Sequence, residues 1–407
     1  MKHLDLDFIR NQFPALSGEW TFFDNAGGSQ TAKQVGARIQ DYLYNTNVQL
    51  GASYTPSQQA GERVLEAQVT MSKLINANEP TEVVLGSSTT QLLQNLSRSL
   101  LQTFKRGDEV IVTNCDHEAN IGPWVDLQKV GIVVNIWKVN PETLELQLED
   151  LEKLMTEKTK LVAFTHASNV LGTINPIEEF TSFIHDQGAM VCVDGVAYAP
   201  HRLIDVQKWN VDFYVFSFYK VYGPHYSLLF SKKNILEQLP GINHFFIGNN
   251  EGPYKLQPGN VNYELSYGLL GVVDYFMAVN EQLQINPINN FNEMFNLFAI
   301  HEEKLASLLL DFLNGKKEVK IYGHTSSDQN KRVPTISFTV KDKKSSEIPI
   351  QIDKYNIGIR YGDFYAHRLI DDLGLFQKDG IIRVSMVHYN TTEEVKNLID
   401  KLEHIIS

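Results

Sequence analysis

The stretch Phe213-Tyr214-Val215-Phe216-Ser217-Phe218-Tyr219-Lys220 places a lysine just after an uninterrupted apolar run. A second apolar run, Met190-Val191-Cys192-Val193, ends in Asp194. Continuous apolar runs are typical of strands buried on both faces of a parallel sheet. An acid and a lysine at the ends of two such strands can face each other across a small-molecule pocket. This pair is the one that pyridoxal phosphate (PLP) uses, because a lysine forms a Schiff base with its aldehyde and an acid bonds its pyridine nitrogen.

The wider chain follows the pattern that these two runs begin. Between residues 82 and 230, short apolar runs alternate with segments of helical period, which predicts an α/β fold with a mainly parallel sheet covered on both faces. Later segments of helix and alternating strand predict a smaller α+β domain. We therefore expect an N-terminal segment packed with the small domain (1–24), a large cofactor-binding domain (25–281) and a small C-terminal domain (282–407).

Composition narrows the class of protein. The 407 residues carry a net charge of -12, which argues against nucleic acid as a partner. The sequence has no apolar run of about 18 residues and no apolar core near its start, so we expect neither a membrane span nor a signal peptide. Two cysteines, Cys115 and Cys192, fit a reducing cytoplasm better than a disulfide scaffold.

A hydroxyl cluster, Ser87-Ser88-Thr89-Thr90, lies between a predicted strand and a predicted helix. Hydroxyls and free amides at a helix N-terminus bind anions, so the cluster is a candidate phosphate site. Ser217 and Tyr219, beside Lys220, could supply further hydroxyls. The alternative is a simple helix cap, worth about 1 kcal/mol.

Two further groups of residues suggest ligand contacts. Asp116-His117-Glu118 contains metal-ligand types, but no second cluster completes a set, so we expect no metal and favour an imidazole stacked on a flat cofactor ring. Arg360 and Arg383 in the C-terminal region could hold a substrate carboxylate through a guanidinium fork. The alternative for Arg383 is a surface position on a half-exposed strand.

Several segments, spread in order over nearly the whole chain, carry a resemblance to a known family. They are similar to the class V aminotransferases and, more narrowly, to the cysteine desulfurase and selenocysteine lyase branch. The segments are Phe23–Gln30, Asp116–Trp124, Ser168–Pro176, Val193–Gly195, Phe213–Pro224 and Arg383–Thr391.

The resemblance implies PLP fold type I, with a mainly parallel seven-stranded sheet and a smaller α+β domain. It also implies a homodimer with active sites at the interface and a small amino-acid substrate. Lys220 would be the Schiff-base lysine, Asp194 the partner of the pyridine nitrogen, and His117 the ring that stacks on the cofactor. Further cofactor contacts would come from Ser88, Thr89, Thr90, Asn169, Ser217, Tyr219 and Asn260, and substrate contacts from Arg383, Arg360, Asn25, Ala26 and Tyr365.

The chain departs from the family pattern at four places, one of which is the loop Val48–Ser53, where it lacks the His and Arg of group II desulfurases. Tyr365, in Arg360-Tyr361-Gly362-Asp363-Phe364-Tyr365-Ala366, stands where desulfurases carry the cysteine that takes up sulfur. Ala197 replaces a glutamine or histidine, and Asn260 replaces a threonine that would contact the cofactor phosphate of the partner subunit. The aromatic loop around Tyr365 suggests an apolar lid or an apolar substrate side chain; ordinary packing is the alternative.

These departures leave several functions open. We expect a PLP enzyme that acts at the α-carbon of a small amino acid without a persulfide cysteine, by C–S lyase or aminotransferase-type chemistry. An epimerase or a decarboxylase is also compatible. A catalytically idle PLP-fold dimer that binds or regulates another molecule is the alternative from a different class. A desulfurase that uses another thiol, such as Cys115, is a further reading.

Overall fold

The computed structural model describes residues 2–285 and 291–406. Residues 286–290, inside the predicted small domain, and the two terminal residues lie outside that description. No helix in the described part is long and apolar enough to cross a membrane. The helices are α1 (Leu6–Arg10), α2 (Lys33–Asn45), α3 (Thr55–Leu74), α4 (Thr89–Leu101), α5 (Gly122–Val125), α6 (Leu148–Glu152), α7 (Ile177–Asp186), α8 (Lys233–Gln238), α9 (Tyr263–Gly268), α10 (Leu270–Gln282), α11 (Asn292–Asn314), α12 (Glu347–Ile352), α13 (His367–Asp372) and α14 (Thr392–Ile406).

The strands form three sheets of seven, four and two strands. The seven-stranded sheet is formed by strands within residues 83–231, and the four-stranded sheet by strands within residues 319–385. The strands are β1 (Thr21–Phe22), β2 (Val83–Gly86), β3 (Glu109–Thr113), β4 (Val133–Trp137), β5 (Thr159–Thr165), β6 (Met190–Asp194), β7 (Phe213–Ser217), β8 (Ser227–Ser231), β9 (Val319–Tyr322), β10 (Thr335–Val340), β11 (Ile357–Gly358), β12 (Arg360–Gly362) and β13 (Ile381–Ser385).

The large sheet has the order β2-β8-β7-β6-β5-β3-β4. Only β8 runs against the others, because it pairs antiparallel with both β2 and β7. Both faces are covered with apolar side chains: Val191 and Val193 of β6 belong to one buried cluster and Cys192, between them, belongs to another. The expected mainly parallel, seven-stranded α/β sheet is confirmed. Its carboxyl edge carries the ends of β3, β5, β6 and β7, and the site lies there.

The small sheet has the order β12-β13-β10-β9 and is antiparallel throughout. The amphipathic helix α14 buries Val395, Leu398 and Leu402 in the apolar cluster of this sheet. Near the N-terminus, β1 pairs with β11, so Thr21 lies opposite Ile357. This pairing brings the residues after β1, including Asp24, to the end of β13.

Candidate active site

Lys220 and Asp194 lie at the ends of adjacent strands and line one cavity. Asp194 is the last residue of β6, opposite Val215 of β7. Lys220 follows β7 by one short 3₁₀ turn, Phe218–Lys220. Both side chains are buried, and Asp194 accepts a hydrogen bond from the N–H of Val196 at 2.9 Å. The strand ends therefore bring together the acid and the lysine that the sequence suggested as a pair.

Burial tunes both groups. Desolvation lowers the pKa of the Lys220 amine, the charge of Arg383 acts in the same direction and Asp194 opposes the shift, which leaves the pKa at about 8. Desolvation raises the pKa of Asp194 to about 6, against its bond from Val196 and the charge of Lys220. Near neutral pH the amine is thus close to giving up its proton, while the carboxyl is largely ionised. A lysine in this state can act as a nucleophile and as a carrier of protons.

The N-terminus of α4 closes one end of the cavity with hydroxyls. The Oγ of Ser88 accepts the N–H of Gln91 at 3.1 Å, which caps the helix. The Thr89 hydroxyl lies 2.7 Å from the Ser217 hydroxyl, which lies 2.7 Å from that of Ser227. Sequence reasoning missed Ser227, which follows Lys220 on the antiparallel strand β8. A cluster of hydroxyls at a helix N-terminus suits an anion such as phosphate.

The cavity is lined by residues from the ends of several strands and from the N-terminus of α4. Its lining includes most of the residues expected around the cofactor: Ser88, Thr89, Thr90, His117, Asn169, Asp194, Ser217, Tyr219 and Lys220. Ala197, one of the departures from the family pattern, also lines it. Four lining residues were not anticipated: Ala119, Thr165, Ala167 and Val196.

His117 follows β3 and forms part of the wall. Its Nδ1 accepts the N–H of Ala119 at 3.0 Å, which places the proton of the neutral ring on Nε2. Desolvation, together with the charges of Lys220 and Arg383, lowers the pKa of His117 to about 4. The imidazole is therefore neutral and flat at the pH of most cells. On its outer side it stacks with the Tyr365 ring, at 5.1 Å between centroids.

Asp116 supports the loop that carries His117. Its buried carboxylate accepts hydrogen bonds from Asn120 Nδ2 at 2.6 Å and from the Thr165 N–H at 3.1 Å. The Thr113 hydroxyl donates a further bond to it. Desolvation raises the pKa of Asp116 to about 7 in spite of these donors, and the charge of Asp194 adds to the shift. Asp116, which resembled a metal ligand in the sequence, thus makes its hydrogen bonds to other groups of the protein.

Arg383 lies on β13 and is 2% exposed. One terminal nitrogen donates to the Asn169 carbonyl at 3.1 Å, and the other donates to the Asp24 carboxylate at 2.8 Å. Arg360 reaches the second oxygen of Asp24 at 3.4 Å. Desolvation lowers the pKa of Arg383, and Asp24 opposes that shift. Sequence reasoning missed Asp24, although an acid beside Asn25 and Ala26 was visible in the motif.

Residues 363–366 connect β12 to α13 and form a loop over the cavity mouth, called the lid loop below. Phe364 and Tyr365 adopt left-handed backbone conformations, with φ of 54° and 59°. A second cavity opens beneath the lid loop. It is lined by Ala26, Gly27, His117, Asn169, Tyr219, Lys220, Arg360, Tyr361, Gly362, Asp363, Phe364, Tyr365 and Arg383.

Two of the expected site residues have other surroundings. Asn25 is buried, and its Nδ2 donates to the Ser385 carbonyl at 2.9 Å and to Asn390 Oδ1 at 3.1 Å, while the Tyr389 hydroxyl donates to its Oδ1. It lines neither of the two cavities and is used instead to join β1 to β13. Asn260 is exposed and also lies outside both cavities.

Comparisons with known proteins agree with this architecture. The model of the family "Aminotransferase class-V" matches residues 21–398. An aminotransferase-like protein of Gibberella zeae is 42% identical over 98% of both chains. A cysteine desulfurase-like protein of Aspergillus flavus is 31% identical over 99% of this chain and 91% of its own. The apo structure of a cysteine desulfurase from Thermococcus onnurineus superposes with a TM-score of 0.88 at 25% identity, covering 100% of this chain and 99% of the other.

Proposed function

Given that the chain belongs to the class V aminotransferase family, and is thus a PLP-dependent enzyme, we propose that it acts at the α-carbon of a small amino acid without forming a persulfide. C–S lyase or aminotransferase-type chemistry fits best. One observation carries this proposal: the lid residue over His117 is Tyr365, and the described residues that line the two cavities include no cysteine. A phenol cannot take up sulfur as a thiolate does.

The two cysteines offer little help to a desulfurase. Cys115 and Cys192 are both buried. Desolvation raises the pKa of each thiol above its usual value, and nearby aspartates add to the effect. Only the thiolate attacks sulfur, so both thiols are poorly suited to it. This argues against Cys115 as a substitute nucleophile.

The residues present fit PLP. The hydroxyl cluster at α4 would hold the phosphate, Asp194 would face the pyridine nitrogen, and His117 would lie against the ring. When bound, the cofactor supplies an electron sink for the pair of electrons left at the substrate α-carbon. The chain supplies the rest: Lys220 holds or releases a proton at Nζ, and Arg383 holds the carboxylate. Lid residues exclude water from the mouth.

Measuring the mass of the protein after incubation with L-cysteine tests the proposal. A C–S lyase converts L-cysteine and water to pyruvate, ammonia and hydrogen sulfide, and leaves the protein mass unchanged. We expect that result, or transfer of the amino group to a keto acid, for the wild type. Tyr365→Cys provides a thiol at the lid and serves as the reference for sulfur uptake. If the wild-type protein gained the mass of sulfur and the Cys115→Ala variant did not, the protein would be a desulfurase that uses Cys115.

A screen of amino acids separates the remaining readings. An epimerase would invert the α-carbon, and a decarboxylase would release carbon dioxide. An idle binding protein would leave the visible cofactor band unchanged with every amino acid tried. The retained set of Lys220, Asp194, His117 and Arg383 argues against the idle reading.

The proposed function includes a homodimer. Phe245 and Phe246 are 100% and 68% exposed and form an apolar pair on the surface. Asn243 ties their segment to the Gln257 carbonyl at 3.1 Å, and Gln257 Nε2 donates to the Leu85 carbonyl at 3.3 Å, near the hydroxyl cluster. A second copy covering this face would bury both rings, and would bring the exposed Asn260 near the cofactor phosphate of the partner subunit.

Sedimentation tests the dimer. We expect the wild type to sediment as a dimer and a Phe245→Ser, Phe246→Ser variant to shift toward the monomer. Ile350→Ser, an exposed apolar position on α12, is the matched control and should leave the dimer intact. A monomeric wild type would end this part of the proposal.

A further inference from the structure

Phe364 contacts both Arg383 and Asn169, the two groups expected to meet the substrate and the cofactor. We propose that Phe364 is a positioning residue that couples the closed lid loop to the orientation of the Arg383 guanidinium. The identity of the ligand rests on the proposed function, whereas the coupling itself is a property of the chain. The sequence placed Phe364 in an aromatic loop expected to form a lid, but it did not indicate a contact with Arg383.

The first contact is between the ring and the guanidinium. The guanidinium carbon of Arg383 lies 3.8 Å from the centroid of the Phe364 ring. Phe364 is 8% exposed and Arg383 is 2% exposed, so the contact is largely shielded from water. A cation over an aromatic face gains most when both are desolvated. Arg383 therefore loses a favourable partner whenever the lid loop moves away.

The second contact is through the backbone. The Phe364 carbonyl accepts the side-chain N–H of Asn169 at 2.9 Å, while the Asn169 carbonyl accepts from Arg383 at 3.1 Å. The three residues thus form a closed circuit of contacts between the large domain, the lid loop and β13. Moving Phe364 changes the surroundings of the other two together.

The lid loop is held in a backbone conformation that is intrinsically unfavourable for its residues. Two successive residues other than glycine, Phe364 and Tyr365, have positive φ, and such conformations persist only where the surroundings enforce them. The Asp363 carboxylate accepts the N–H of Tyr365 at 3.1 Å, and the Tyr365 carbonyl accepts the N–H of Glu118 at 2.7 Å. These bonds hold the loop where the Phe364 ring lies on Arg383.

The guanidinium retains a donor for a ligand in this position. Within the described part of the chain, Arg383 Nε is buried and has no hydrogen-bond partner. Arg383 also lines the second cavity, beneath the lid loop. An unsatisfied buried donor is costly, so a carboxylate that reaches it is favoured. Phe364 would hold the plane of the guanidinium and so fix the direction of this donor.

Hydrogen exchange of residues 360–368 in the cofactor-loaded protein tests the coupling. We expect Phe364→Leu to raise the exchange rate of these amides about tenfold, because the contact with the guanidinium is lost. Arg383→Lys should raise it similarly, and the double variant should add less than about twofold. Tyr355→Leu, which removes an exposed contact with Lys401, should match the wild type. Unchanged exchange in Phe364→Leu, or fully additive effects, would overturn the proposal.

A titration adds the functional readout. We expect Phe364→Leu to weaken the spectral response to L-alanine about tenfold, and the response to L-alaninamide, which lacks the carboxylate, by less than about twofold. Equal weakening for both probes would overturn a role through Arg383. A wild type that responds to neither probe would count against the proposed function, and the exchange experiment would then decide the coupling alone.

Discussion

The cofactor pocket and the lid loop face each other across the same mouth, but they are built in different ways. Asp194 and Ser217 are the last residues of buried strands, in ordinary extended backbone. Phe364 and Tyr365 lie between elements, with left-handed backbone enforced by contacts from other segments. The pocket is thus a product of the sheet, while the lid depends on packing between domains. The two sides of the mouth therefore rest on different kinds of support.

The largest effect should come from the pocket. Lys220→Ala removes the amine that carries the proton, and we expect turnover to fall about 10²- to 10⁴-fold, with loss of the visible cofactor band. Lys129→Ala, an exposed lysine, is the control and should retain both. A Lys220→Ala protein with the wild-type spectrum would mean that the pocket does not use this lysine.

The next effect should come from the boundary between pocket and lid. Arg383→Lys keeps the charge but loses the fork, and we expect the KM for the amino acid to rise about tenfold to a hundredfold with a smaller change in kcat. Arg360→Lys, at a largely exposed position, should change KM much less. Equal effects of the two variants would show that the substrate carboxylate is held at the mouth and not at Arg383.

The pH dependence of cofactor capture should follow the pKa of Lys220. The Lys220 pKa is lowered to about 8, first by burial and then by Arg383. The neutral amine attacks PLP, so the rate at which the cofactor-free protein captures PLP should rise as pH increases, about tenfold per unit below about pH 8, and then level off. Arg383→Met should move the midpoint upward, because the neighbouring positive charge is gone. A midpoint that Arg383→Met leaves unchanged would contradict this account.

The smallest effect should come from the outer edge of the lid. Glu118 accepts two hydrogen bonds from Arg368 at 3.2 and 3.0 Å, but both side chains are about one-third exposed. We expect Glu118→Gln to lower the free energy of unfolding by about 0.5 kcal/mol or less and to leave the pocket spectrum unchanged. Denaturant titration measures this change. A loss of unfolding free energy as large as that for a buried contact would mean that the lid stabilises the domain interface.

The sequence indicated the pocket more completely than the lid. Apolar runs that end in Asp194 or lead to Lys220 predict both the strands and the edge where the site lies. The roles of Asp24 and Phe364 depend on contacts between segments more than 190 residues apart, which no local pattern encodes. Asn25 shows that a motif can also suggest a site residue that the structure places elsewhere. It belongs to a family-like motif, yet its amide joins the N-terminal segment to β13.

The bond between Asp24 and Arg383 spans 359 residues of the chain. During synthesis, the hydroxyl cluster, Asp194 and Lys220 leave the ribosome long before β13 does. The residues of the pocket are therefore synthesised before the guanidinium that we propose to bind the substrate carboxylate. The proposed carboxylate site would be complete only when the end of β13 docks beside the residues that follow β1, so substrate binding would require the finished fold.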